Sequence, residues 1–292
     1  MFLKNNLQVI LVTGANGQLG NELRVIASRF RGYHFLFVTK EELAIEDNDA
    51  VRNYFVANTP AYCINCAAYT AVDKAETEKD RAFLINATAT GDLAAVCKQY
   101  NVQFIHISTD YVFDGTAKQP YKETDNTCPV NIYGESKLRG EELVMKNDPF
   151  AIIIRTSWVY SSFGQNYVKT MLRLMKEKDS INVVNDQYGC PTYAADLAEA
   201  IMKIISSGKS REMPGIYNYA NAGIINWYEF AVAIKELTGS SCKVNPIPTS
   251  QYPTPAKRPA YSVLDTGKIS EAFNIVIPTW KDSLERCLSL LK

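Results

Sequence analysis

The sequence has no surplus of either charge: 31 Lys and Arg stand against 31 Asp and Glu. A dedicated nucleic-acid binder usually carries a basic excess, so the balance argues against one while leaving room for a local basic pocket. Long apolar runs are missing as well. Gln8 to Val12 and Ala151 to Ile154 are strand-sized, far below the roughly 20 residues a helix needs to cross a bilayer. The N-terminal stretch has Lys4 but neither the apolar segment nor the cleavage site of a secretory signal, and a cytoplasmic location is the resulting expectation. The seven cysteines are odd in number and scattered, which reads as reduced thiols. Cys63 and Cys66 have the Cys-x-x-Cys spacing of redox and zinc sites. No second Cys pair or Cys/His cluster follows to complete a tetrahedral site, so no metal is expected. The pair reads better as part of a buried strand, Tyr62 to Cys66, ending in a tight turn.

What is present is an alternation of short apolar runs with amphipathic stretches. Gln8 to Val12 has no polar alternation, as expected of a strand covered on both faces. Leu23, Ile26, Ala27 and Phe30 give Glu22 to Phe30 helical spacing. His34 to Val38, Tyr62 to Cys66, Gln103 to Ser108 and Ala151 to Thr156 read as further strands. Ala50 to Asn58, ended by Pro60, Arg81 to Tyr100 and Tyr133 to Met145 read as helices. Strand–helix repetition of this kind means right-handed crossovers and an α/β fold, a Rossmann-type doubly wound parallel sheet. Prolines then cluster between Pro246 and Pro259. They predict a smaller C-terminal substrate-binding lobe with a stiffened segment crossing it. The expected division is residues 1–160 as dinucleotide-binding domain, with a segment near 190–225 returning to it, and 161–292 mainly as the lobe.

Ligands in such sheets bind beyond the carboxyl ends of the strands, so the segments just after each strand carry the functional information. After the first comes Thr13-Gly-Ala-Asn-Gly-Gln-Leu-Gly20. Gly14 allows the tight turn, Gly17 lets a pyrophosphate approach the backbone, and Gly20 permits close helix–strand packing. The following helix N-terminus offers free amides and a positive dipole end to the anion. A dinucleotide site is expected. Thr39 and Lys40 end the second strand where an acidic residue would repel a 2′-phosphate. They favour NADPH, with NADH as the alternative; Lys40 can equally be a solvated surface lysine. After the third strand, the small Ala67 and Ala68 would let the backbone pass close to the cofactor.

Tyr133 and Lys137 are four residues apart, one above the other on one helical face. A free phenol with a pKa near 10 is a reluctant acid at neutral pH, and an ammonium beside it is expected to lower that value. Thr109, in the strand-ending Ile107-Ser-Thr-Asp-Tyr111, can hydrogen-bond a substrate oxygen where charge develops. Tyr133 is thus the expected proton donor, with Lys137 and Thr109 beside it.

With these residues on the page, the chain resembles the extended short-chain dehydrogenase/reductases, and among them the dTDP-4-dehydrorhamnose reductase family. The resemblance rests on Asn65 to Glu76 (NCAAYTAVDKAE), Ser108 to Gly115 (STDYVFDG), Arg155 to Tyr160 (RTSWVY), Val184 to Thr192 (VNDQYGCPT) and Pro253 to Pro259 (PTPAKRP). It covers nearly the whole chain. The resemblance implies Thr109, Tyr133 and Lys137 as the catalytic group, and Asp110, Tyr111 and Trp158 as further lining of a sugar-nucleotide site. For the cofactor it implies Gly14, Asn16, Gly17, Gln18, Leu19, Thr39, Lys40, Ile45, Ala67, Ala68, Tyr69 and Thr70, together with Tyr133 and Lys137. The implied reaction is NAD(P)H-dependent reduction of the C4 ketone of dTDP-4-dehydro-L-rhamnose to dTDP-L-rhamnose. Nucleic acid and membrane are not expected partners.

Two departures stand out. The family often has an acidic residue where this chain has Ala44, ahead of the adenine position at Ile45. Glu22 matches one glutamate of a metal-linked dimer found in some members, but Ala195 stands where a second would be. A homodimer stays open; a magnesium-bridged one is not supported. For Trp158, lobe packing competes with substrate contact, and for Arg258 surface charge competes with pyrophosphate binding. Related 4,6-dehydratases place a second carboxylate after the threonine-aspartate pair. Here Tyr111, Val112 and Phe113 follow Asp110, so plain reduction is the better reading than elimination or epimerisation. A rival of another class is a non-catalytic regulatory subunit like methionine adenosyltransferase β, which shares this fold and much of this motif set.

Overall fold

The computed structural model describes residues 7–291. Six parallel strands form its central sheet, in the edge-to-edge order Gly215–Asn218, Ile152–Thr156, Gln103–Thr109, Tyr62–Asn65, Gln8–Thr13 and Tyr33–Val38. The unbroken apolar runs are explained by the pleat, which sends successive residues to opposite faces. Ile10, Val12, Ile64 and Ile154 face one core with Leu19, Leu23, Leu197 and Ile201 from the helices at Gln18–Ile26 and Ala194–Ser206. Leu11, Cys63, Phe104 and Ile153 face the other, with Phe55, Leu93 and Val144 from the helices at Asn48–Asn58, Thr90–Gln99 and Ile132–Asn147. Both faces are covered, so polar residues inside the strands are few, and the buried one at His106 is satisfied by side-chain partners.

The first strand has the second on one side and the third on the other. The chain reverses direction across the sheet there, and a crevice opens between the two following loops. This is where the glycine turn and the Cys66–Ala68 turn meet.

The lobe has its own core. Helices Tyr167–Glu177, Trp227–Thr238 and Trp280–Ser289 enclose Tyr160, Val168, Phe230, Ile234 and Leu284, beside the parallel pair Ser180–Val184 and Lys243–Ile247. Three ties hold it over the sheet. Gln18 Nε2 donates to the Val159 carbonyl while its Oε1 accepts from Asn166. Arg258 grips Asp73 through both carboxylate oxygens, at 3.0 and 2.9 Å. Asn131 Nδ2 donates to the Lys257 carbonyl at 2.7 Å. The proline-rich segment therefore straps lobe to sheet, and Arg258 is engaged in an internal ion pair.

One feature departs from the sequence expectation. The single long helix expected over 81–100 is three pieces: Lys79–Phe83, a π-helical turn at Leu84–Ala89, and Thr90–Gln99. The wide turn sets Asn86 to bond the Tyr69 backbone N–H and carbonyl and the Ser136 hydroxyl. The sheet takes its outer strand from Gly215–Asn218, inside the 190–225 stretch, a run too short to be read as a strand by itself. Among the described residues, no helix is long and apolar enough to cross a membrane.

Candidate active site

A cleft of about 790 Å³ runs along the carboxyl ends of the strands between sheet and lobe. Its floor is the glycine turn. Gly14 has φ +63°, and a Cβ there would lie 2.6 Å from the Ala67 backbone nitrogen, so only glycine lets the two loops of the crevice touch. No side chain caps the helix that starts at Gln18, which leaves its first amides open to an anion at the cleft floor. These features fit the pyrophosphate of a dinucleotide. Gly14, Asn16, Gly17, Gln18, Leu19, Lys40, Ile45, Ala67, Ala68 and Thr70 all line the cleft.

Thr39 and Tyr69 are not among the lining residues. The Thr39 amide is taken by Glu42, and Tyr69 bonds Glu78 through its hydroxyl. Lys40 lies 3.6 Å from Glu46, which also accepts from Arg81 at 2.8 Å. The adenosine end thus holds two cations sharing one carboxylate. Glu46 lies on the cleft wall, a residue that strand-end reasoning did not find because it sits six positions beyond Lys40 in a turn.

The chemical end is built by the fourth strand and the helix facing it. Asn131 caps that helix by accepting from the Gly134 amide at 2.8 Å, and Glu76 accepts from the Ile132 amide at 2.9 Å. Its first turn is thereby fixed with Tyr133 toward the cleft. Tyr111 meets the Tyr133 ring edge-on, centroids 5.7 Å apart. Thr109, Asp110, Tyr111, Tyr133, Lys137 and Trp158 all line one stretch of the wall. The structure therefore brings together the residues that the sequence singled out for catalysis and substrate.

Their electrostatics differ from the expectation in one respect. Burial pushes the Tyr133 phenol up to about 12; the nearby Thr109 hydroxyl opposes the shift and Asp110 adds to it. Lys137 Nζ donates to the Ile107 carbonyl at 2.7 Å and stands 3.1 Å from His106 Nε2. A phenol so raised keeps its proton at neutral pH, the form a proton donor needs. Burial also brings Lys137 down to about 8, with Glu141 acting the other way.

Asp110 is 2% exposed, accepts from the Thr109 hydroxyl at 3.0 Å, and has no protein partner for Oδ2 among the described residues. Burial raises its carboxyl to about 7, against the opposing influence of the nearby Ser262 and Thr109 hydroxyls and the backbone amides. Unfolded, the group would titrate near 3.8, so between the two values the folded form keeps a proton the unfolded chain has released. This contribution to stability is full below the lower value and lost as pH rises through the upper one. Asp110→Asn is expected to raise stability at pH 8 by on the order of 2–4 kcal/mol. The gain should shrink toward pH 4 in thermal melts; an equal gain at both pH values would refute the burial argument.

The lobe contributes an aromatic platform. Trp158 has φ +48° and stacks on Trp227 with centroids 3.4 Å apart and planes 10° from parallel. Trp227 opens a helix capped by Asn226, with Glu229 bonding back to the Asn226 amide. On the other side Gly189 leaves room for the indole, since a Cβ there would lie 2.7 Å from the Trp158 ring. Trp227 was not found from sequence, since it reaches the cleft through lobe packing with no local motif; Gly189 lies in the Val184–Thr192 stretch, but its place against the Trp158 ring was not read from it.

The sequence profile described as "RmlD substrate binding domain" matches residues 8–292. The chain is 44% identical to the spore coat polysaccharide biosynthesis protein SpsK of Bacillus subtilis, over 96% of each chain. It is 41% identical to the dTDP-4-dehydrorhamnose reductase of Aggregatibacter actinomycetemcomitans, over 94% of this chain and 97% of the relative. Among solved structures, the Bacillus anthracis dTDP-4-dehydrorhamnose reductase in complex with NADP superimposes with a TM-score of 0.92 at 38% identity. That match covers 97% of this chain and 99% of the other.

Proposed function

The chain belongs to the RmlD substrate binding domain family, and from that premise we propose that it is an NADPH-dependent reductase of dTDP-4-dehydro-L-rhamnose. The observation that carries the reading is the single cleft. It joins an uncapped helix start over a glycine turn to a protonated phenol, a threonine hydroxyl and a tryptophan platform. Bound on the glycine turn, the reduced cofactor supplies a hydride.

The protein does the rest. Tyr133, buried and in its phenol form, delivers the proton to the C4 oxygen as charge develops there. Thr109 would turn its one hydroxyl proton from Asp110 to that oxygen, while the Tyr111 amide, donating to Thr109 Oγ1, keeps the hydroxyl in place. Lys137 has Nζ anchored on the Ile107 carbonyl and reaches the cofactor ribose with its remaining N–H. The Trp158–Trp227 stack, closed over by the lobe, receives the nucleotide sugar and excludes water. At the other end Lys40, on the cleft wall with Arg81 behind it on Glu46, would hold the 2′-phosphate that distinguishes NADPH.

The test is steady-state oxidation of NADPH in the presence of dTDP-4-dehydro-L-rhamnose. Turnover with formation of dTDP-L-rhamnose supports the proposal. Cofactor binding without turnover would instead make the chain a regulatory subunit. Gly189→Ala probes the platform: the added Cβ must displace Trp158. The KM for the sugar nucleotide is expected to rise about tenfold, equivalent to roughly 1.4 kcal/mol of lost binding, with the NADPH Kd unchanged. A variant with wild-type KM would remove Trp158 from the substrate site.

A further inference from the structure

Behind the Tyr133–Lys137 pair lies a chain of buried polar groups that the proposed mechanism does not use. Thr13 Oγ1 donates to Asn65 Oδ1 at 2.7 Å, Asn65 Nδ2 meets His106 Nδ1 at 3.1 Å, and His106 Nε2 meets Lys137 Nζ at 3.1 Å. Thr13, Asn65 and His106 are all fully buried and Lys137 is 1% exposed, so water cannot relax a mismatch among them. We propose that His106, held in one tautomer by Asn65, is a positioning residue that weakens the hold of the Lys137 amine on its proton.

The argument starts from a group whose role is fixed. The Ala67 backbone nitrogen can only donate, and it does so to Asn65 Oδ1 at 3.2 Å. This settles which way the Asn65 amide points, so Nδ2, a donor, faces His106. His106 Nδ1 must then accept, and a neutral imidazole carries its proton on the other nitrogen. The Nε2–H points at Lys137 Nζ, which can accept only through the lone pair of an uncharged amine. One amine N–H goes to the Ile107 carbonyl and the other is left for the cleft. Protonating Lys137 would put two donors face to face. Turning the imidazole tautomer to relieve that would place Nδ1–H against Asn65 Nδ2. Flipping Asn65 as well would leave the Ala67 amide facing a donor. Each remedy breaks a buried bond.

The surrounding charges do not undo this. On the lysine's own helix, Glu141 stands one turn on, but Arg155 holds both its carboxylate oxygens. Tyr133, one turn back, is a phenol. Among the described residues, the neighbouring strands bring His106, the Cys66 thiol and, past the strand end, Asp110. Burial holds His106 well below its usual range, and the lysine adds to that, so the ring stays neutral. Burial keeps Cys66 protonated. The catalytic consequence rests on the reductase reading: Lys137 becomes a group that changes charge within the working pH range instead of a permanent cation, and turnover falls as its proton is lost.

The experiment is carbon NMR of protein labelled at the lysine ε-carbon, with Lys137 assigned by its loss in Lys137→Met. Wild-type Lys137 is expected to titrate at least one pH unit below the other lysines. Asn65→Asp keeps the shape but replaces the donor by an acceptor, so that His106 takes the Nδ1–H form and Nε2 accepts from an ammonium. Its Lys137 should titrate at least one unit higher than wild type, and the alkaline limb of kcat should move with it. His106→Gln, which can turn its carbonyl to the lysine, should do the same. Ordinary titration of Lys137 in the wild type, or its value unchanged in both variants, would overturn the proposal. Because the NMR titration needs no substrate, absence of sugar reduction would count against the reductase reading alone.

Discussion

Tyr133→Phe is expected to lower kcat by about 10²–10⁴-fold, the range for loss of a positioned general acid, while the NADPH Kd changes less than about twofold. The reasons are local. Phe fills the same volume between Tyr111 and the Thr109 wall, so the helix start fixed by Asn131 and Glu76 has no cause to move. On the proposed reading, cofactor binding rests mainly on the glycine turn and the crevice, and what disappears is the phenol that would face the C4 oxygen. Asp110, though protonated near neutrality, has its Oδ1 tied to Thr109 and is not placed to substitute. A variant that kept more than about a tenth of wild-type kcat would remove Tyr133 from the proton-donor role. Loss of NADPH binding in parallel would make its role structural.

The second large effect is on stability. Arg155 and Glu141 are joined by bonds of 3.0 and 2.7 Å, and their side chains are 3% and 2% exposed. The pair joins the fifth strand of the chain to the catalytic helix one turn below Lys137. Arg155→Met leaves the Glu141 carboxylate buried without its partner, a situation that costs about 3–5 kcal/mol. Urea denaturation should show that loss, whereas Arg155→Met combined with Glu141→Leu should recover much of it, since an apolar pair carries no desolvation penalty. A single variant as stable as wild type, or a double variant no better than the single, would contradict the account of this pair.

The parts of the fold that were legible share a physical cause. Strands covered on both faces cannot afford polar alternation, so Gln8–Val12 and Ala151–Thr156 declared themselves. The glycine turn was legible because only glycine permits the approach of Gly14 to Ala67. The Tyr133–Lys137 pair was legible because helical spacing alone places both side chains on one face. Other features depend on contacts far apart in the chain. The π-helical turn at Leu84–Ala89 is an adjustment of an otherwise helical run, and its Asn86 finds partners at Tyr69 and Ser136. Trp227 reaches the cleft only because the lobe folds back on Trp158. His106 read as one polar residue inside a strand; its meaning appears only once Asn65 and Lys137 are beside it. The lowering expected of the Tyr133 phenol is not found, since spacing showed the lysine on the same face but not the burial that pushes the phenol up.

The central claim is that one cleft presents a C4 ketone to a nicotinamide on one side and to Tyr133 on the other. Its most direct measurement is a single turnover with NADPH deuterated at the transferable position of the nicotinamide, followed by mass and NMR analysis of the sugar nucleotide. The account predicts dTDP-L-rhamnose carrying one deuterium, at C4, with none appearing in water. Unlabelled product, label at another carbon, or no reduced sugar with the labelled cofactor still bound would contradict it.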